Sequence, residues 1–210
     1  MNGNINIKKE IAKALKDWRN TNNKEQNFQG HLYAHFLKFK KKGYVVEMET
    51  NIKQDKHLGL LFKDKNFDKN ILCKSEVDLL LYNEQNGEAY AIELKWIYNR
   101  EGRWNVVDHL AEFSCDVEFC KQLVENHICT NVCSFVAYDF DDKKQVQRVV
   151  FNNDKEDKEA FLGGPYIDKS GKRRKLTRGT IKGVPFHWVD LYDKYRYFMI
   201  DGQDILNNNH

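Results

Sequence analysis

Hydrophobic positions in the first 42 residues form two stripes at helical spacing. The first stripe predicts an amphipathic helix from about residue 5 to 19, and the second predicts a helix from about residue 24 to 42. The stripe residues are Ile7, Ile11, Leu15 and Trp18, followed by Phe28, Leu32, Phe36 and Phe39. Gly43 stands where a glycine commonly ends a helix, so the second helix should stop there.

The pattern then changes to one typical of strands. Residues 44–52 alternate apolar and polar side chains, and residues 76–82 and 89–97 are rich in β-branched, aromatic and leucine residues. Asn86-Gly87, between the last two strands, is a strong hairpin signal because both residues tolerate positive φ. Helical spacing returns over residues 106–126, and residues 129–139 are typical of a buried strand.

The last third of the chain has weaker patterns. It predicts a strand at 145–151, a short helix at 157–162, a basic loop at 169–178, and two aromatic-rich strands at 184–192 and 195–200. No internal repeat or linker divides the chain. We therefore expect a single α/β domain over residues 1–210, with a core from about 24 to 140, an N-terminal helix and a β-rich C-terminal extension.

Composition narrows the class of protein. Hydrophobic residues make up 41% of the 210 positions, enough apolar surface to favour a globular fold over disorder. The net charge of +3 is too small to indicate a polyanion partner by itself. Charges interrupt the N-terminus where a signal peptide needs an apolar run, and no segment resembles a membrane span, so a cytoplasmic protein without a membrane partner is expected. The five cysteines should be reduced and packed as small apolar residues.

The predicted hairpin carries an unusual set of charges. A two-residue turn at Asn86-Gly87 pairs Asp78 with Lys95, and Leu80 with Glu93. Because side chains alternate along a strand, the three charged residues share one face. The opposite face is wholly apolar and should face the core; it carries Val77, Leu79, Leu81, Ile92, Leu94 and Trp96.

The charged face also holds apolar side chains, namely Leu80, Tyr82 and Ala91, so it should be half-buried. Half-buried carboxylates are unfavourable unless a partner compensates them. A hard divalent cation between Asp78 and Glu93 would do so and would leave room for water and phosphate oxygens.

Ser75-Glu76-Val77-Asp78, followed after fourteen residues by Glu93-Leu94-Lys95, resembles the Asp…Glu-x-Lys core of the PD-(D/E)XK nuclease superfamily. The predicted order of elements over residues 24–139 also resembles that superfamily: a helix, three strands of which the last two carry the motif, a helix and a further strand. Val77 stands where the family's name has a proline. The resemblance implies a restriction-endonuclease-like core with a mixed central sheet flanked by helices.

The resemblance also implies roles for individual residues. Asp78, Glu93 and the backbone carbonyl of Leu94 would bind Mg²⁺, for which Mn²⁺ could substitute, and Lys95 would orient or activate the attacking water. Many members of the superfamily add a residue from the preceding helix. Glu25 is the preferred match here, and Gln29, one turn later, is the competing choice.

Two simpler interpretations stand beside these. Asp78, Glu93 and Lys95 could form a cross-strand ion pair on a wet sheet face, worth about 0.2–1 kcal/mol. The basic run Lys172-Arg173-Arg174-Lys175 could contact nucleic-acid phosphates or be a solvated loop.

The expected function is hydrolysis of phosphodiester bonds in nucleic acid, with DNA preferred over RNA. A homodimer is compatible with the sequence. The alternative is an inactive nuclease-fold module that binds nucleic acid or a protein.

Overall fold

The computed structural model describes residues 5–18, 25–52, 72–97, 106–139, 159–161, 166–167, 173–174, 185–187, 189–192 and 195–207. The helices are α1 (Ile7–Asp17), α2 (Glu25–Phe36), α3 (Val106–Glu125) and α4 (Gly202–Leu206), and the 3-10 helix Leu37–Lys42 continues α2. The long strands are β1 (Val45–Asn51), β2 (Glu76–Asn83), β3 (Glu88–Ile97), β4 (Asn131–Asp139), β9 (Val189–Tyr192) and β10 (Tyr195–Asp201). The short strands are β5 (Glu159–Phe161), β6 (Tyr166–Ile167), β7 (Arg173–Arg174) and β8 (Pro185–His187).

The long strands form one six-stranded sheet in the order β1-β2-β3-β4-β10-β9. The β3–β4 pair is parallel, and the other pairs are antiparallel. Parallel neighbours need a crossover, and the chain makes it through α3. The predicted α/β architecture, a mixed sheet flanked by helices, is confirmed.

Helices cover both faces of this sheet. On one face, α1 and α2 bury a core that includes Ile11, Phe28 and Leu32 against Leu79 and Ile92. On the other face, α3 buries a second core around Phe113, Val117 and Cys120 against Leu80 and Ala91. On this second face Leu80, Ala91 and Glu93 are fully buried, deeper than predicted, whereas Asp78 and Lys95 are half-buried as predicted.

Most predicted elements up to residue 139 are confirmed within a few residues. Gly43 ends the second helical segment in the left-handed conformation, at φ +84°. The predicted helix at 157–162 is wrong, because residues 159–161 form β5 and pair with β8. The predicted strand at 145–151 lies outside the described residues. All five cysteines are free thiols. Cys120, Cys129 and Cys133 are buried as expected, whereas Cys73 and Cys115 are only half-buried.

The register of the β2–β3 hairpin differs from the prediction. Its loop has four residues rather than two, because the strands end at the Asn83–Glu88 pair. Asparagine side chains hold this wider loop: Asn83 Oδ1 accepts from the Gln85 N–H at 2.9 Å, and Asn86 Oδ1 accepts from the Glu88 N–H at 3.0 Å. Gly87 closes it at φ +73°.

The wider loop moves the pairing by two residues. Leu80 lies opposite Ala91 instead of Glu93, and the same register places Asp78 level with Glu93 instead of Lys95. A shift of two keeps each side chain on its predicted face, since alternation has period two. The predicted apolar face is confirmed except at Val77, which belongs to the α3-side core. The β1–β2 pairing is irregular next to Val77, because it runs from Met48–Leu79 to Thr50–Val77 and skips Glu49, which has φ +50°.

Candidate active site at the fork between two strands

Strands β2 and β3 separate at the level of Asp78. Their pairing runs from Asn83–Glu88 to Leu79–Ile92. Beyond that point β2 continues beside β1 as far as Glu76, while β3 continues beside β4 as far as Ile97. We call the opening beyond the Leu79–Ile92 pair the fork. Backbone groups that line such an opening need partners other than the neighbouring strand.

Side chains supply those partners. The Asp78 carboxylate accepts a hydrogen bond from the Leu94 N–H at 2.7 Å, and the Glu25 carboxylate accepts one from the Trp96 N–H at 2.8 Å. Gln29, one helical turn after Glu25, donates its side-chain amide to the Asp78 carbonyl at 2.8 Å. Helix α2 is thereby tied to both strands, and both candidate helix residues reach the fork.

Glu93 points to the α3 side of the sheet and is completely buried. Its Oε2 lies 2.5 Å from the Lys74 ammonium nitrogen, which also lies 2.9 Å from Oδ1 of Asp116 on α3. Among the described residues, no hydrogen-bond partner exists for Glu93 Oε1. A buried carboxylate oxygen without a partner is energetically costly, so this atom favours an additional cation or donor.

Burial and neighbouring charges raise the pKa of two acids at the fork, Glu93 and Asp116. Burial raises the pKa of Glu93 well above its usual range, and the charges of Asp78 and Asp116 raise it further. Burial also raises the pKa of Asp116, although Lys74 opposes this shift. Negative charge is therefore concentrated here in a medium that solvates it poorly.

Two lysines offset part of this charge. Burial alone would lower the pKa of Lys74, but Glu93 and Asp116 raise it above its ordinary value, so this ammonium is charged at neutral pH. Lys95 is half-buried on β3. Burial raises the pKa of Glu25, and the positive charge of Lys95 opposes that shift, which places the two side chains within electrostatic reach of each other.

The structure therefore brings together Asp78, Glu93, Lys95 and Glu25, the four residues predicted from sequence. It adds two that sequence reasoning missed, Lys74 and Asp116. Lys74 directly precedes the Ser75–Asp78 motif. Asp116 lies three residues after Phe113 and four before Cys120, so an acid on the apolar stripe of α3 was the signal that could have identified it.

The basic run is only partly described. Arg173 and Arg174 form β7, which pairs with β6, and Lys172 and Lys175 lie outside the described residues. The simpler interpretation of Asp78, Glu93 and Lys95 as a wet cross-strand ion pair is wrong, because Glu93 is fully buried and pairs with Lys74.

The described residues contain no group of three or more His, Cys, Asp or Glu side chains arranged to hold a metal ion. A protein cage of that kind is not what Mg²⁺ requires, since Mg²⁺ commonly binds one or two carboxylates and keeps several waters. Asp78 and Glu93 fit such a partial set, since Glu93 Oε1 has no hydrogen-bond partner in the described part of the chain.

Comparison of the chain with family models, curated proteins and solved structures gives no significant match. In the part of the chain that the structure describes, no helix combines the length and apolarity needed to cross a membrane.

Proposed function

We propose that this protein is a Mg²⁺-dependent nuclease that hydrolyses phosphodiester bonds, with DNA as the preferred substrate. The observation that carries the proposal is Glu93, a fully buried carboxylate at the point where β2 and β3 separate, with one oxygen that has no hydrogen-bond partner among the described residues. Strongly raised pKa values at a cluster of acids often mark functional sites. The restriction-endonuclease-like core suggested by the motif Asp78…Glu93-Leu94-Lys95 is part of the same proposal.

Asp78 and Glu93 would hold the ion. The Leu94 carbonyl is the third proposed ligand, because the N–H and C=O of one residue point to the same side of a strand and the Leu94 N–H points into the fork. Lys95 would orient the attacking water, and Glu25 would act from α2. When bound, Mg²⁺ would supply Lewis-acid activation of water and stabilise the charge that develops on the phosphate.

The charge balance supports one divalent ion. The described residues of the site include four carboxylates, on Asp78, Glu93, Asp116 and Glu25, and two ammonium groups, on Lys74 and Lys95. Full ionisation of these described groups gives them a net charge of −2 at a site whose centre, Glu93, is buried, which is unfavourable. A single Mg²⁺ would neutralise this charge.

The experiment is a cleavage assay with purified protein on supercoiled plasmid, single-stranded DNA and RNA, each with Mg²⁺, with Mn²⁺ or with EDTA. The proposal expects cleavage of at least one DNA substrate with either metal, none with EDTA, and loss of cleavage in Lys95→Ala. RNA cleavage in place of DNA cleavage would correct the substrate, because a site that contacts phosphates does not by itself distinguish the two. Cleavage that persists in EDTA would contradict the proposal.

A second candidate function is an inactive nuclease-fold module that binds nucleic acid or a protein partner. The observation that favours it is the Lys74 ammonium, which already neutralises part of the charge of Glu93 and Asp116. This alternative expects no cleavage under any metal condition. Retention of DNA on the protein without cleavage would favour the module over the nuclease.

A further inference from the structure

The Lys74 ammonium lies between two carboxylates that come from different elements. Its Nζ is 2.5 Å from Glu93 Oε2 on β3 and 2.9 Å from Asp116 Oδ1 on α3. The Glu93 side chain has no solvent exposure and the Asp116 side chain has 10%, whereas 30% of the Lys74 side chain is exposed. A cation that enters from the surface and bridges two buried acids occupies the place that a bound metal ion would take.

The chain around Lys74 holds the ammonium in that place. Leu72 is buried in the α3-side core, and the Cys73 N–H donates to the side-chain oxygen of Gln122 on α3 at 2.9 Å. The Lys74 nitrogen also lies 5.8 Å from the centre of the Phe119 ring, within the range of a cation–π contact. Lys74 is thus fixed against the same helix that carries Asp116, unlike a lysine on an open surface.

The two oxygens of Glu93 are used differently. Oε2 contacts Lys74, while Oε1 has no hydrogen-bond partner within the described ranges. One carboxylate can bridge two cations, one through each oxygen. Glu93 is therefore able to serve the Lys74 ammonium and a separate divalent ion at the same time.

We propose that the Lys74 ammonium occupies a second cation position, formed by Glu93 and Asp116, so that removal of this side chain converts the position into a divalent-cation site. The wild-type protein then binds a single divalent ion through Asp78 and Glu93 Oε1, and this half of the inference rests on the proposed function. The Glu93–Asp116 position does not depend on it. Oxygen donors from two carboxylates suit Mn²⁺ and Mg²⁺.

The test is a count of bound Mn²⁺ ions, by electron paramagnetic resonance of the free ion and by calorimetric titration. Five proteins are compared: wild type, Lys74→Met, Lys74→Met/Asp116→Asn, Lys74→Arg and Lys121→Met. Methionine keeps most of the length of the lysine side chain without its charge. Lys121 is the control, because it is a lysine on α3, the helix that carries Asp116, and it pairs with Glu125 at 3.7 Å.

The proposal expects Lys74→Met to bind one Mn²⁺ more than the wild type, and the additional ion to be lost in the double variant. Lys121→Met should bind as many ions as the wild type. Lys74→Arg, which keeps a cation in place, should not gain an ion. A folded Lys74→Met that binds the same number of ions as the wild type overturns the inference.

The two proposals fail separately. If the wild type binds no Mn²⁺ and Lys74→Met binds one that requires Asp116, the second cation position stands and the proposed function loses its metal. If both proteins bind none, both proposals fail. Should Lys74→Met be unfolded without metal, circular dichroism with added Mn²⁺ decides, since recovery of the fold supports the inference and failure to fold contradicts it.

Discussion

The Asp78 carboxylate accepts a hydrogen bond from the backbone N–H of Leu94 at 2.7 Å, at the level where β2 and β3 stop pairing with each other. A carboxylate therefore replaces a backbone carbonyl at the first position of the fork. This contact gives Asp78 a structural role in addition to its proposed role in metal binding, and the two roles can be separated by substitution.

Asp78→Ala should lose both the hydrogen bond to Leu94 and metal binding, while Asp78→Asn should lose only metal binding. Alanine leaves the Leu94 N–H without its acceptor, at a cost of about 1–3 kcal/mol in the free energy of unfolding. Asparagine keeps an oxygen that can accept from Leu94 but is a much weaker metal ligand. Urea unfolding of the two variants, alongside DNA cleavage, measures the difference. An asparagine variant that is as unstable as the alanine variant, or that remains active, would contradict this division.

Glu93 should make the stability of the metal-free protein depend on pH. Burial, together with Asp78 and Asp116, raises its pKa above the ordinary 4.5. An acid whose pKa is higher in the folded state than in the unfolded state makes its full contribution to stability at pH values below the unfolded-state pKa. This contribution is lost as the pH rises through the folded-state pKa. In EDTA, the free energy of unfolding of the wild type should therefore fall relative to that of Glu93→Gln as the pH rises above about 4.5.

Urea titrations at several pH values measure this difference, and added Mg²⁺ should reduce it. The matched control is Glu76→Gln, which alters an exposed acid two residues from Asp78 on the same strand. A difference between the wild type and Glu93→Gln that does not change with pH would show that burial of this carboxylate carries no electrostatic cost.

A separate ion-pair cluster should stabilise the contact between α1 and α2. Its contribution should depend on pH in the direction opposite to that of Glu93. Burial alone would raise the pKa of Glu10, but hydrogen bonds from Lys13, Lys38 and His35 lower it to about 2. A carboxyl group whose pKa is lowered in the folded state stabilises the fold at pH values above its unfolded-state pKa, near 4.5. This contribution disappears as the pH falls towards the folded-state pKa of about 2. Glu10→Gln should thus cost about 1–3 kcal/mol near neutral pH and much less near pH ~2.5.

Urea unfolding at the two pH values checks this expectation, with Lys9→Gln as the control, because Lys9 is an exposed residue of the same helix. Equal destabilisation by Glu10→Gln at both pH values would mean that hydrogen bonding, rather than charge, holds the cluster together.

The basic run Lys172–Lys175 should contribute to DNA affinity through its interaction with phosphates. Replacing its four residues with alanine should weaken binding and flatten the dependence of log K on log salt, by about 0.9 for each phosphate of duplex DNA that the variant no longer neutralises. The matched control is the exposed run Lys40-Lys41-Lys42 in the 3-10 helix, also replaced with alanine. Fluorescence anisotropy at several salt concentrations measures both slopes, and an equal change of slope per positive charge removed in the two variants would assign the effect to overall charge alone.

Sequence patterns were sufficient for the order of elements and for the face on which the motif lies. Period-two alternation places Glu93 and Lys95 on the face opposite Leu94 whatever the exact register, which is why a register error of two residues did no harm. The error itself came from the loop, because Asn83 and Asn86 cap a four-residue turn that the Asn-Gly signal does not distinguish from a two-residue one.

The residues of the site that the sequence did not predict are positioned by tertiary contacts. Lys74 reaches Glu93 only because the β2–β3 pair and α3 pack together, and no local pattern indicates an ion pair over nineteen residues of chain. Asp116 was visible as an acid on an apolar stripe, but its partner was not. The face of Val77 could not be predicted, because the β1–β2 pairing is irregular beside it, at Glu49, and no sequence pattern indicates that irregularity.

Initial rates of plasmid cleavage as a function of Mg²⁺ concentration, compared for the wild type, Glu93→Gln and Glu76→Gln, test most directly whether Glu93 is the centre of a metal-dependent site. The wild type and Glu76→Gln should show a saturable Mg²⁺ dependence. The rate of Glu93→Gln should be at least about 100-fold lower, since loss of even an outer partner of a metal ligand commonly costs about 10- to 100-fold. Wild-type rates in Glu93→Gln, at the same Mg²⁺ concentrations, would contradict the assignment of this buried carboxylate as the centre of the site.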